Sequence, residues 1–283
     1  MITVRDLTLR DGRLLRVHDS AFGVDSLPTL LWHHGSPQTG APIEPLLRET
    51  RARGIRLISY ARPSYGGSSA HPGRSVASAA ADVAELADTL RLGRFATLGA
   101  SGGAPHALAC AALDADRITA VACIASPAPF DAVGLDWFAG MAADGASLRA
   151  AVTGRVCREQ YEETSDFDAD SFTERDYRAL AGDWADLGTD VGRSAEFGTD
   201  GLISDDLALV APWGFAVADI RVPTLIVQGG EDRIIPAGHG DWLRRCLAEV
   251  GTSETEFWLR ARDGHLSVLG AVPLVLEWLL ERG

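Results

Sequence analysis

The feature of this 283-residue sequence that most limits its fold is a regular alternation of apolar runs with helix-forming segments. Continuous apolar runs occur near residues 28–33, 55–60, 95–100 and 118–125, and helical patterns separate them. A strand that is apolar at nearly every position is buried on both faces, as in a parallel sheet covered by helices. The alternation therefore predicts an α/β fold with a mostly parallel sheet.

The two ends of the chain extend this pattern. Residues 1–9 and 13–18 alternate apolar and polar side chains around Asp11-Gly12, which predicts a β-hairpin. After residue 223 the alternation resumes, with strands predicted near 224–228 and 254–259 and helices near 237–250 and 271–281. We therefore expect one core domain built from residues 1–129 and 214–283.

Residues 130–213 interrupt the alternation between two predicted strands. Their helical segments are acidic and carry many aromatic side chains. An insertion of this size is best explained as a helical cap, or lid, over the ends of the strands. Within it and at its end, we expect four aromatic residues to line a substrate pocket: Trp137, Phe138, Trp184 and Trp213.

The segment Gly99-Ala100-Ser101-Gly102-Gly103 follows an apolar run and precedes a run of small, helix-forming residues. It fits the G-x-S-x-G pattern, in which a serine lies at the tip of a sharp strand-to-helix turn. Side chains two positions before and after this serine would collide, so glycine is needed at both places. The alternative interpretation is a glycine-rich turn whose serine caps a helix.

A serine hydroxyl needs a base to become a good nucleophile. His265 follows the last predicted strand, and Asp232 follows the strand before it. The carboxyl ends of parallel strands meet at one edge of a sheet, so we expect Ser101, Asp232 and His265 to converge. Each residue alone also fits an ordinary loop role, and Glu231 competes with Asp232 for the carboxylate position.

An oxyanion formed by attack on a carbonyl needs two backbone N–H donors. Gly102, directly after the serine, is expected to supply one of them. Ser36 is expected to supply the other, because it lies in the loop after the first buried strand. His33, His34 and His106 are interpreted as structural residues.

Charge and cysteine content exclude several classes of function. The net charge of −13 argues against a nucleic-acid partner. The four cysteines are widely separated, so neither a metal site nor a disulfide framework is expected. We found no apolar run of membrane-spanning length and no signal-peptide pattern at the first residues, and we expect a cytoplasmic location without a membrane partner. The expected partner is a small-molecule substrate, and the oligomeric state is not predicted.

Much of the negative charge belongs to one segment. Residues 159–206 hold 15 acidic residues and 3 arginines, a balance of −12. One interpretation is an apolar pocket under a negative rim that disfavours anionic substrates. The other is that these acids only solubilise exposed helices.

Several motifs resemble the α/β-hydrolase superfamily, and they occur in that family's order along nearly the whole chain. They are His34-Gly35-Ser36-Pro37, Arg62-Pro63-Ser64-Tyr65-Gly66-Gly67-Ser68, Gly99–Gly103, Gly229–Pro236 and Asp263-Gly264-His265. The resemblance implies an eight-stranded, mostly parallel sheet, a helical cap before the acid-bearing strand, and no cofactor. It looks like the capped branch that contains esterases, proline iminopeptidases, lactonases and carbon–carbon bond hydrolases. Epoxide hydrolases and haloalkane dehalogenases of this fold carry aspartate at the turn, so Ser101 argues against both.

One departure from the family pattern is that Ala100 and Gly102 leave extra room beside Ser101. The leading hypothesis is a cofactor-independent serine hydrolase that cleaves an ester, lactone or amide of a small neutral or cationic substrate. A first alternative is an aminopeptidase of the proline-iminopeptidase type, in which cap carboxylates hold the substrate amine. Further alternatives are a biosynthetic tailoring hydrolase or cyclase and a non-catalytic small-molecule receptor.

Overall fold

The structure, a computed structural model, describes residues 2–24, 26–251 and 254–282. Over these residues eight strands form one sheet in the order β1-β2-β4-β3-β5-β6-β7-β8. The strands are β1 (Thr3–Thr8), β2 (Leu14–Asp19), β3 (Thr29–His33), β4 (Arg56–Tyr60), β5 (Phe95–Ala100), β6 (Ile118–Ile124), β7 (Thr224–Gly229) and β8 (Thr255–Arg260). The β1–β2 and β2–β4 pairs are antiparallel and the other pairs are parallel. The predicted eight-stranded, mostly parallel sheet is confirmed, although Met1 of the predicted hairpin lies outside the described residues.

Over the described chain the helices are α1 (Glu44–Ala52), α2 (Ser78–Leu90), α3 (Ala104–Leu113), α4 (Ala146–Thr153), α5 (Arg155–Thr164), α6 (Glu174–Ala181), α7 (Ala185–Ser194), α8 (Asp200–Leu209), α9 (Ala237–Val250) and α10 (Val272–Leu280). Helices α2, α3 and α9 cover one face of the sheet, and α1 and α10 cover the other. Successive residues of a strand point to opposite faces. Leu31 of β3 accordingly packs with residues of α2, α3 and α9, while its neighbours Leu30 and Trp32 pack with residues of α1 and α10.

Helices α4–α8 all lie between β6 and β7, in a segment of residues 125–223 that we call the insertion. Helix α6 contacts the turn at residues 267–271, and α8 contacts the turn at residues 101–103. The insertion therefore touches the two loops that carry His265 and Ser101. The division into a core and a cap at residues 129/130 and 213/214 stays a prediction. None of the described helices has the length and apolar character that crossing a membrane requires.

Candidate active site

Ser101 lies at the sharp turn between β5 and α3. Its φ of 52° is in the left-handed region, which costs free energy for a residue with a side chain. A Cβ atom on Gly99 would lie 2.6 Å from the Gly103 carbonyl oxygen, and one on Gly103 would lie 2.7 Å from the backbone carbon of His33. Glycine at both positions therefore lets strand and helix pack closely behind the half-buried Ser101 hydroxyl.

The structure brings Ser101, His265 and Asp232 together in one hydrogen-bonded chain. His265 Nε2 lies 2.8 Å from Ser101 Oγ, and His265 Nδ1 lies 2.8 Å from Asp232 Oδ2. The other Asp232 oxygen accepts hydrogen bonds from the backbone N–H groups of Ile234 and Ile235, at 2.9 and 2.8 Å. Asp232 is buried, whereas its competitor Glu231 is exposed. The carboxylate is therefore fixed toward the imidazole by the loop that follows β7.

The environment of His265 favours its protonated form. Burial lowers the pKa of this imidazole, but the charge of Asp232 and its hydrogen bond outweigh burial, and the charge of Asp176 adds to them. The net result is a pKa above the ordinary value of a histidine. A ring with these neighbours can accept a proton on Nε2 while Asp232 stabilises the resulting charge.

Ser36 packs directly against Gly102, the residue that follows Ser101. Within the part of the chain that the structure describes, neither backbone N–H donates a hydrogen bond to another protein group. A Cβ atom on Gly102 would lie 2.5 Å from the Ser36 hydroxyl. The extra room noted beside the serine in the sequence is therefore occupied by the Ser36 side chain.

A buried ionic cluster holds the loop that carries Ser36. Arg62 donates to the Ser36 hydroxyl at 2.9 Å and to the Gly35 carbonyl at 3.2 Å. Asp205, from α8 of the insertion, accepts hydrogen bonds from Arg62 at 2.6 Å and from Arg74 at 2.5 Å. All three ionic side chains are at most 3% exposed. The insertion thus supplies the counter-charge that lets two arginines be buried behind this loop.

The histidines interpreted as structural are fully enclosed. Burial is the main reason that the pKa values of His33 and His34 lie well below the ordinary value and that of His106 falls to about 3. His34 accepts a hydrogen bond from the backbone N–H of Arg62 at 3.1 Å, and His33 lies 3.1 Å from the Tyr60 hydroxyl. These rings are neutral and pack the loops around Ser101.

A cavity of about 420 Å³ opens next to Ser101 and His265. Ser36 and Gln38 are polar lining groups. Within the described part of the chain, His265 and the Tyr177 phenol are the titratable groups of the lining. Among the residues that the structure describes, no aspartate, glutamate or arginine lines this cavity. The apolar and aromatic lining residues are Trp32, Ile43, Phe167, Phe172, Tyr177, Leu180, Leu187, Val191, Ile234, Leu266 and Leu269.

The prediction that Trp137, Phe138, Trp184 and Trp213 line the pocket is wrong for this cavity, because all four pack elsewhere. Trp137 is 5% exposed, donates its indole N–H to the Ala128 carbonyl at 2.9 Å and packs against Phe138. Trp213 donates to the carbonyl oxygen of the residue four positions earlier, and Trp184 belongs to the core cluster of α1 and α10. Their indoles fill packing sites rather than facing Ser101.

The aromatic residues that do line the cavity come from residues 167–177, which sequence reasoning missed. Phe167 stacks on Phe172 with ring centres 6.0 Å apart. Phe172 packs edge-on against Tyr177, with ring centres 6.2 Å apart. Phe167 is 72% exposed and Tyr177 is 39% exposed. Three aromatics at intervals of five residues within a polar, acidic stretch were the available signal, since such a stretch has few apolar neighbours to form a core.

The described residues contain no group of three or more histidine, cysteine, aspartate or glutamate side chains arranged to hold a metal ion. The four cysteines are free thiols, and Cys110 and Cys123 are buried. The groups that hydrogen bonds bring together at this site are a hydroxyl, an imidazole and a carboxylate. Such a set can perform nucleophilic attack with proton transfer at a carbonyl carbon.

Comparisons with known proteins agree with this architecture. No curated protein matches this chain. Among solved structures, an esterase from Thermogutta terrifontis is 20% identical with a TM-score of 0.68, covering 99% of this chain and 98% of its own. An enol-lactonase from Burkholderia xenovorans LB400 is 18% identical with a TM-score of 0.70, covering 98% of each chain. An epoxide hydrolase from Vigna radiata is 16% identical with a TM-score of 0.66, covering 100% of this chain and 98% of its own.

At such identities these neighbours demonstrate a shared fold and no more. The sequence itself matches the family model described as alpha/beta hydrolase fold over residues 28–268, which is most of the chain. That interval includes β3 to β8, the serine turn and the loops that carry Asp232 and His265. The chain therefore belongs to the alpha/beta hydrolase fold family.

Proposed function

We propose that this protein is a cofactor-independent serine hydrolase that cleaves a small, uncharged ester or lactone through an acyl-enzyme. The observation that carries the proposal is the chain of two 2.8 Å hydrogen bonds from Ser101 through His265 to Asp232. This chain ends at a cavity of about 420 Å³, which is a volume suited to a small organic molecule.

In the first half of the proposed reaction, Ser101 Oγ attacks the carbonyl carbon and its proton passes to His265 Nε2. The carbonyl π electrons move to the oxygen, which becomes an oxyanion. The N–H groups of Ser36 and Gly102 hydrogen-bond that oxyanion, and the negative charge of Asp232 stabilises the imidazolium. The tetrahedral intermediate then collapses, and the departing alkoxide takes the proton from His265.

In the second half, the acyl group is attached to Ser101 and the imidazole is neutral again. A water molecule attacks the acyl carbon while His265 Nε2 accepts its proton. Collapse of this second intermediate returns the proton to Ser101 Oγ and releases the carboxylic acid. With a lactone, the alcohol and acid groups leave as one hydroxy acid.

The cavity lining supports an uncharged substrate. Transfer of an unpaired charge into such an apolar site is costly. An aminopeptidase needs a carboxylate to hold the substrate ammonium, and none of the described residues that line the cavity is an aspartate or glutamate. The lining thus favours ester and lactone hydrolysis over the proline-iminopeptidase alternative. The structural neighbours named as an esterase and an enol-lactonase are consistent with these two substrate classes.

The direct test replaces the nucleophile. We expect Ser101→Ala to lower kcat/KM for a short-chain nitrophenyl ester by about 10⁴-fold or more, and to abolish labelling by a fluorophosphonate. Ser165→Ala, an exposed serine, is the matched control and should retain wild-type rates. Turnover by Ser101→Ala within about tenfold of wild type would overturn the proposal.

The substrate class is tested separately with a pair of prolyl anilides. An iminopeptidase cleaves the free-amine form and rejects the N-acetylated form, because only the first carries an ammonium. We expect neither anilide to be cleaved as fast as a neutral ester. Selective cleavage of the free amine would instead restore the aminopeptidase alternative.

A further inference from the structure

Asp176 of helix α6 is a buried carboxylate that faces the loop carrying His265. One of its oxygens accepts hydrogen bonds from the backbone N–H of Leu266 at 2.9 Å and that of Ser267 at 2.7 Å. The Ser267 hydroxyl donates to the same oxygen at 2.8 Å. Asp176 is only 1% exposed. A carboxylate of the insertion thus binds the two residues that directly follow His265.

The same carboxylate also contacts the residue that precedes His265. A Cβ atom on Gly264 would lie 2.8 Å from Asp176 Cγ and 2.9 Å from one carboxylate oxygen, so only glycine lets the two approach this closely. The backbone N–H of Gly264 donates to the Ser267 hydroxyl at 2.8 Å, and that hydroxyl in turn donates to Asp176. Both flanks of His265 are therefore fixed around one carboxylate.

The second oxygen of Asp176 is occupied by its own helix. It accepts from the backbone N–H and the hydroxyl of Thr173, each at 2.9 Å, and the Thr173 hydroxyl accepts from the Asp176 N–H in a capping box. Contacts within the first turn of α6 therefore fix the carboxylate independently of its contacts with the His265 loop. It is a rigid support rather than a mobile side chain.

We propose that Asp176 is a positioning residue for His265, through which the insertion holds the imidazole in line with both Ser101 and Asp232. The inference rests on the proposed hydrolase function. Catalysis by the imidazole requires Nε2 and Nδ1 to face Ser101 and Asp232 at the same time, at 2.8 Å each. A small displacement of residues 264–267 breaks one of these contacts, and misplacement by about 1 Å can cost about 100-fold in rate.

The charge of Asp176 gives this role a measurable signature. The charged groups around His265 are Asp232 after β7, Asp176 on α6, and Asp263 on its own loop. Asp263 is ion-paired with Arg175 at 3.1 Å and with Arg260 at 2.7 Å, which offsets its charge. Asp176 has no cationic partner among the described residues. Burial raises the pKa of Asp176, but its hydrogen bonds outweigh burial and lower it, so the group is ionised near neutral pH.

The experiment compares Asp176→Asn with the wild type across pH, using a neutral nitrophenyl ester. The amide has the shape of the carboxylate, but it lacks the charge and loses one acceptor oxygen. We expect kcat to fall by about tenfold to 100-fold while KM changes by less than about threefold. Because the negative charge raises the pKa of His265, its removal should move the acidic limb of kcat/KM to lower pH.

Asp190→Asn is the matched control. Asp190 is another buried aspartate of the insertion, on α7, and it accepts a hydrogen bond from the backbone N–H of Thr39 at 3.1 Å instead of from the His265 loop. Its acidic limb should coincide with that of the wild type. A wild-type kcat and limb in Asp176→Asn, or an equal shift of the limb in Asp190→Asn, would overturn the positioning role.

A second variant keeps the test valid if Asp176→Asn does not fold. Ser267→Ala removes one hydroxyl between Gly264 and Asp176 and leaves the carboxylate charge in place. We expect a smaller loss of kcat, of about threefold to tenfold, with the acidic limb unchanged. A wild-type kcat in this variant would count against the inference.

Fluorophosphonate labelling distinguishes a failure of the proposed hydrolase function from a failure of the positioning role of Asp176. If wild-type Ser101 is not labelled, the proposed function fails and the role of Asp176 fails with it. If Ser101 is labelled in the wild type and is labelled equally fast in Asp176→Asn at every pH, only the positioning role fails. Slower labelling of Asp176→Asn, with its acidic limb at lower pH, supports both.

Discussion

Replacing Asp205 by asparagine should destabilise this protein more than any exposed ion-pair substitution. Asp205 of α8 is 0% exposed and is the acceptor for Arg62 at 2.6 Å and Arg74 at 2.5 Å. It also accepts a hydrogen bond from the Tyr65 hydroxyl at 2.8 Å. Asparagine removes the negative charge and leaves two guanidinium groups in the interior without a counter-charge.

The magnitude follows from burial. Removing one partner of a fully buried ion pair costs about 3–5 kcal/mol, because the remaining charge is desolvated and unpaired. Here two arginines lose the same partner, so we place the change in the free energy of unfolding at the upper part of that range. Because a domain is stable by only about 5–15 kcal/mol, this is a large fraction of the total.

The matched control is Asp200→Asn, on the same helix. Asp200 pairs with Arg155 at 2.8 Å, but these side chains are 51% and 38% exposed, so the expected loss is only about 0–1 kcal/mol. Urea unfolding followed by tryptophan fluorescence and by circular dichroism measures both variants. A loss below about 1 kcal/mol for Asp205→Asn, equal to that of the control, would refute the reasoning.

The difference in the free energy of unfolding between the wild type and Asp205→Asn should depend on pH in a defined direction. Burial alone would raise the pKa of Asp205, but the charges of Arg62 and Arg74 outweigh it and hold the pKa well below its ordinary value. A carboxyl group with a lowered pKa stabilises the fold above its unfolded pKa of about 3.9 and loses that contribution as pH falls toward the folded value. The difference between wild type and Asp205→Asn should thus be constant from neutral pH to about pH 5 and narrow below about pH 4.

Three further outcomes are expected. Gly103→Ala should lower the free energy of unfolding by about 1–3 kcal/mol, because its Cβ would lie 2.7 Å from the carbonyl carbon of His33. Gly192→Ala, whose Cβ would have nothing within 4 Å, should not lower it, and thermal melts compare the two variants. Phe167→Ala should raise KM for an aromatic or long-chain ester by about threefold to tenfold with little change in Tm, because the ring lines the cavity yet is 72% exposed. In the wild type, the acidic limb of kcat/KM should lie above the ordinary histidine pKa of about 6.5, since Asp232 outweighs burial at His265.

The convergence of Ser101, Asp232 and His265 was predictable from the sequence because it depends on short-range patterns and one topological rule. Each residue follows a strand, β5, β7 or β8. These strands belong to the parallel run β5-β6-β7-β8 of the sheet. Parallel strands end at the same edge, so residues distant in the chain meet there. The glycines at 99 and 103 were predictable for a similarly local reason, namely the close approach of strand and helix.

The pocket lining was not predictable in the same way, because it depends on how the helices of the insertion are oriented. Large aromatics such as Trp137 and Trp213 suggested a binding surface, yet each indole N–H finds a carbonyl partner within its own neighbourhood. Phe167 and Phe172 lie in a polar stretch that has no helical periodicity of its own. Their position beside Ser101 follows from tertiary packing, which spacing along the chain does not encode.

The role of the acidic residues in the insertion was likewise not predictable from the sequence, and the structure separates them by burial. The sequence allowed a negative rim around the pocket or a merely solubilising surface. Asp183 and Glu196 are exposed, as the second interpretation requires. Asp176, Asp190 and Asp205 are instead buried, and each hydrogen-bonds a core loop that carries Ser36 or His265 or adjoins them.

These three aspartates belong to three successive helices, α6, α7 and α8, so the insertion is joined to the core at several buried polar contacts. Buried carboxylates are stable only where donors satisfy them, and here those donors come largely from the core loops. Displacing the insertion would leave the carboxylates and the loops unsatisfied together. The exposed acidic residues of this segment therefore keep its surface hydrated, whereas the buried Asp176, Asp190 and Asp205 hold the proposed active site in shape.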